Sequence, residues 1–62
     1  MTRAAERELR HYMDPFDKWG FYLAAEKLHS QRKITYGELA GLSRVPVEVI
    51  RMRLRDIRPP RV

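Results

Sequence analysis

Between Ile34 and Ile57 the residues specify two short helices with a tightly punctuated break. Thr35-x-x-Glu38 fits a capping box: the Thr35 hydroxyl accepts from the Glu38 amide, and the Glu38 carboxylate reaches back to the Thr35 amide. Ile34 and Leu39 fall at the two positions of a hydrophobic staple. This predicts a third helix over about 35–42, followed by a turn at Ser43-Arg44-Val45. Pro46 suits the first position of a fourth helix, over about 46–57, and Pro59-Pro60 cannot continue it. Ala40 is small enough for the point where the two helices cross, and Val45 supplies an apolar contact in the turn. Ile50, Leu54 and Ile57 follow at helical spacing as an inner seam. The wheel leaves Val47, Glu48, Arg51, Met52 and Arg55 pointing outward.

Upstream, Ala4 to Met13 favours a first helix with Leu9, Tyr12 and Met13 as its apolar stripe. Asp14-Pro15 reads as an N-cap followed by proline at N1, with Asp17 adding negative charge to the first turn. The second helix is therefore expected from about Pro15 to His29. Phe16, Trp19, Leu23 and Leu28 are assigned to its buried side, with Tyr22 at the edge. Gly20 either weakens that helix or lets another approach closely. Ser30 to Lys33 is the connector. The expected fold is all-α, a small three- to four-helix bundle.

A chain of 62 residues has room for one domain, and at this size folding buries only ~60% of the unfolded surface. Residues 1–33 are read as N-terminal helices, 34–58 as the two-helix unit and 59–62 as a tail. There is no cysteine, so disulfides and thiolate metal sites are excluded. No internal repeat appears. Tyr12, Phe16, Trp19, Phe21 and Tyr22 crowd into one short stretch. The core can take most of these rings. An exposed remainder would form a surface for a second chain, and Leu9, Tyr12, Met13, Phe16 and Trp19 are the candidate dimer surface.

The charge is lopsided. Residues 1–30 are electrically balanced, and the whole net charge of +5 lies in residues 31–62. Such an asymmetry suits a nucleic-acid-binding face, although a solvated basic surface would produce it too. Arg51 and Arg55, four apart, share a helix face. Arginine can take guanine O6 and N7 together, glutamate can accept from cytosine N4, and an apolar side chain can pack on the thymine methyl. Glu48 and Val47 fit the last two roles. Arg44, Arg53 and Arg58 look placed for phosphates, as do the amides near Thr35 and Tyr36, with Arg32 and Lys33 leading into them.

These residues carry a resemblance. Tyr36-x-Glu38-Leu39-Ala40, then Val45-Pro46-Val47, then Val49-Ile50-Arg51-x-Arg53-Leu54, resembles the helix-turn-helix of bacterial sigma-factor region 4 and of small phage and plasmid regulators. It covers about a third of the chain. The resemblance implies a DNA-facing second helix with Arg51 and Arg55 as base readers. One departure is Arg44, where such turns often have glycine, so a left-handed conformation there would carry a cost.

Nothing else points to chemistry. His11 and His29 lack partners at metal-ligand spacing, Asp14 and Asp17 are explained by capping, and no phosphate loop or nucleophile motif is present. No enzyme activity, cofactor or metal is expected. No apolar run approaches a membrane span or a signal peptide, which suits a cytoplasmic, nucleoid-associated protein. The expected partner is double-stranded DNA, bound sequence-specifically through the major groove by a transcriptional regulator or accessory factor, with a homodimer as candidate assembly. The alternative is an adaptor module that binds RNA polymerase or another protein machine.

Overall fold

The computed structural model describes residues 1–57 and contains four helices, α1 (Arg3–Arg10), α2 (Lys18–Ser30), α3 (Tyr36–Ser43) and α4 (Val47–Ile57). It is a small all-α bundle. α4 packs on both α2 and α3, and α1 lies on α2. One core joins all four: Ala5 and Leu9 from α1, Phe21, Tyr22, Ala24, Ala25 and Leu28 from α2, Leu39 from α3, and Ile50 and Leu54 from α4, with Ile34 from the connector. No described helix is long and apolar enough to cross a membrane.

The first half departs from the sequence expectation in three ways. α1 starts at a cap not anticipated, Thr2, whose hydroxyl accepts from the Ala5 amide at 3.1 Å. It ends at Arg10 rather than Met13, because the Tyr12 and Met13 amides donate back three residues, to Leu9 and Arg10, and tighten the chain out of the helix. Met13 and Phe16 then pair in an isolated bridge across Asp14-Pro15, whose peptide bond is cis. Asp14 is therefore not an N-cap and Pro15 not a helix start. The cap of α2 is Asp17, which accepts from the Gly20 amide at 3.1 Å.

The buried side of α2 also differs. Trp19 is 66% exposed, and Leu23 and Phe16 lie in solvent too, while Phe21 and Tyr22 are buried. The face that carries Trp19 and Leu23 continues into Glu26 and Lys27, whereas the Phe21 face continues through Ala24, Ala25 and Leu28. The second face carries no charged side chain of its own, although Glu26 beside it is half-buried, and its alanines let neighbouring helices close in. What approaches Gly20 is not another helix but the Tyr12 ring, from the segment after α1, and the Asp17 cap: a Cβ there would lie 2.6 Å from Tyr12 Cδ1 and 2.7 Å from Asp17 Oδ2.

The second half follows the sequence closely. The capping box forms: Glu38 N–H donates to Thr35 Oγ1 at 3.1 Å, and Thr35 N–H donates to Glu38 Oε1 at 3.0 Å. Ile34 and Leu39 are both buried. α3 ends at Arg44 in the left-handed region, φ 61°, where its amide donates to the Ala40 carbonyl at 2.8 Å. Ser43 braces this turn, donating to the Leu39 carbonyl and accepting from the Val45 amide. Ala40, Val45 and Ile57 pack half-buried against the core. Pro46 stands just ahead of α4 rather than at its first position, and its carbonyl accepts from Ile50 N–H at 3.1 Å. The expected stop at Pro59-Pro60 lies outside the described residues.

Candidate nucleic-acid interface

α4 is divided lengthwise. Ile50 and Leu54 are wholly buried and seat it in the core, with Ile57 half-buried beside them. Glu48, Arg51, Met52 and Arg55 stand exposed on the opposite side, and Val47 is half-buried at the start of the helix. This division follows from the spacing of the apolar residues.

The exposed residues do not stand alone. Glu48, Arg51, Met52 and Arg55 line one open groove of about 450 Å³, and the fifth lining residue is Tyr36, from the first turn of α3. The Arg51 guanidinium lies over the Tyr36 ring, 5.8 Å from its centre. The ring itself stacks on His29 at the end of α2, with centroids 4.1 Å apart and planes 12° from parallel. His29 Nδ1 is buried and has no hydrogen-bond partner among the described residues, and the imidazole lies against the Tyr36 ring. Three helices thus contribute to one arrangement that ends in a guanidinium at the rim of the groove.

Among the cations expected to meet phosphates, Arg32, Lys33 and Arg44 are exposed in the two connectors that flank α3. Arg32 and Arg44 both take positive φ, 59° and 61°. Arg53 is placed apart from the other α4 arginines. It lines a second groove, of about 320 Å³, with Lys18, Trp19, Tyr22, Asp56 and Ile57. Two residues along a helix rotate the side chain by about 200°, so Arg53 faces away from the Arg51 and Arg55 side. Arg58 lies outside the described residues.

The start of α3 is more acidic than a bare helix N-terminus. The Thr35 amide and hydroxyl are both engaged by Glu38, so that amide is not open to phosphate. The Met1 ammonium pairs with Glu38 Oε2 at 2.5 Å. That ammonium first, and then the Thr35 amide, hold the Glu38 carboxyl below its ordinary value.

Of the candidate dimer surface, Leu9 is withdrawn: it is fully buried and is spent on the core of its own chain. Tyr12 and Met13 are half-buried, while Phe16 and Trp19 present large exposed rings. Among the described residues, no group of three or more His, Cys, Asp or Glu side chains gathers to hold a metal ion.

No protein-family model, curated protein or solved structure matches the chain. That the Tyr36 ring lines the groove, with His29 from the last turn of α2 stacked behind it, is not legible in the sequence, because Arg51, Tyr36 and His29 come from three helices.

Proposed function

We propose that this chain binds duplex DNA sequence-specifically, with α3 and α4 acting as a helix-turn-helix and α4 entering the major groove. The observation that carries this reading is the exposed set Glu48, Arg51, Met52 and Arg55 on one side of a helix that Ile50 and Leu54 seat in the core. Such a helix is rigid and presents two guanidiniums together, which suits bidentate contact with guanine. Arg32, Lys33 and Arg44 anchor phosphates on either side, and Val47 and Glu48 add contacts near the start of the helix. The role is that of a small transcriptional regulator or accessory factor of bacterial or phage type, working on cytoplasmic, nucleoid DNA.

One module offers few base contacts. A homodimer through Phe16 and Trp19, with Tyr12 and Met13 behind them, would double the contacts on an inverted repeat with half-sites about 34 Å apart. A second reading rests on the same rings: Trp19, 66% exposed beside the groove lined by Tyr22 and Ile57, suits an adaptor that grips RNA polymerase or another protein.

The test is selection from random duplexes, then titration of the chosen site over a range of salt, with sedimentation of free and bound protein. A protein that neutralises about 4–6 phosphates per subunit has a slope of log K against log salt near −4 to −5. A slope near zero with no selected site removes the DNA reading. A monomer bound to a site without symmetry removes the dimer alone.

A further inference from the structure

We propose that Tyr36 and His29 are positioning residues for base readout by Arg51, an inference that rests on the DNA reading above. An arginine on an exposed helix face samples many rotamers, and ordering it on DNA costs free energy that weakens discrimination. Here the guanidinium already lies over the Tyr36 ring. A cation above an aromatic face is attracted by the ring quadrupole, and the planar guanidinium keeps its fork of donors free at the edge. Tyr36 is itself held: it lies in the first turn of α3, behind the capping box, with His29 stacked on it. Arg55, in the same groove, has no ring beneath it among the described cation–aromatic contacts. The two arginines therefore differ in kind, with Arg51 prepared before binding and Arg55 ordered by it.

This changes the role of Tyr36. A phosphate contact would use its backbone amide, would not need the ring, and would act on every sequence alike. A positioning role uses the ring and acts on one base position. His29 enters only through the stack, so its replacement by an apolar residue should act in the same direction as loss of the ring, and more weakly.

The experiment compares Tyr36→Phe, Tyr36→Leu and His29→Leu on the selected duplex and on duplexes altered at the position whose preference Arg51→Ala relaxes. Thermal melts of each variant first establish that it is folded. Tyr36→Phe is expected to keep wild-type discrimination. Tyr36→Leu should lose about three- to tenfold of it at that position, with affinity for random duplex unchanged. In the Arg51→Ala background Tyr36→Leu should have no further effect. Without DNA, the ring-current shift of the Arg51 side-chain protons should survive in Tyr36→Phe and vanish in Tyr36→Leu. Equal losses in Tyr36→Phe and Tyr36→Leu, full discrimination in Tyr36→Leu, or no ring-current shift in the wild type overturns the positioning role and leaves duplex binding standing. A wild type that binds no duplex overturns both.

Discussion

The Arg51 guanidinium lies 5.8 Å from the centre of the Tyr36 ring, across the junction of α3 and α4. It ties a residue fixed by a capping box to a residue on the exposed face of the neighbouring helix. The capping box, the turn at Arg44 and the buried seam of α4 all act on this one distance.

The arginines of α4 should separate by face. Arg51→Ala and Arg55→Ala are each expected to lower affinity for the selected site by about 1–3 kcal/mol and to relax one base preference. Arg53→Ala, on the far side beside Trp19, should leave both nearly unchanged. Titration of each variant on selected and randomised duplexes checks this, and equal losses at all three positions contradict the assignment.

Arg44 occupies a left-handed conformation, φ 61°. Glycine meets no Cβ penalty there, and the strain relieved is about 1 kcal/mol. Arg44→Gly is expected to raise the melting temperature by roughly 4–8 °C for a domain of this size. It should also remove one phosphate contact and make the salt slope shallower by about 0.9. Stabilisation without any change in slope would mean that Arg44 does not meet DNA.

Gly20→Ala places a Cβ 2.6 Å and 2.8 Å from two carbons of the Tyr12 ring. Overpacking of this kind costs about 1–3 kcal/mol, more than the ~1 kcal/mol that alanine contributes to a helix. A lower urea midpoint is expected. In a Tyr12→Ala background the same substitution should lower the midpoint by less, because the ring contacts are gone while the contact with Asp17 Oδ2, 2.7 Å from the new Cβ, remains. An equal drop in both backgrounds would show that Tyr12 is not packed on Gly20.

Glu38 has its carboxyl held below the ordinary value of 4.5, first by the Met1 ammonium and then by Thr35. A carboxyl with a depressed folded-state pKa stabilises the fold above its unfolded pKa and loses that contribution as pH falls through the folded one. Wild type should therefore melt higher than Glu38→Gln at neutral pH, and the gap should close on acidification below about 4.5. A gap that stays constant down to pH 2 would show that the charge has no part in the cap.

The caps at Thr35 and Glu38, the turn at Ser43-Arg44-Val45 and the Ile50–Leu54 seam were legible in the amino-acid sequence. Each depends on residues within about four positions of one another, where hydrogen-bond reach and the 3.6-residue repeat leave few choices. The exposed face of α4 followed from that seam. What lay beyond local reach was the burial of α2. Phe16, Trp19 and Leu23 are as apolar as Phe21 and Leu28, and only competition among whole faces for one core decided between them, in favour of the face whose neighbours were alanines rather than Glu26 and Lys27. The same tertiary choice bent the chain at Asp14-Pro15, spent Leu9 on the interior and left Trp19 in solvent. It also brought His29, Tyr36 and Arg51, from three separate helices, into one stack: local chemistry can place each residue on its helix, but only the packing of the helices sets the distance between them.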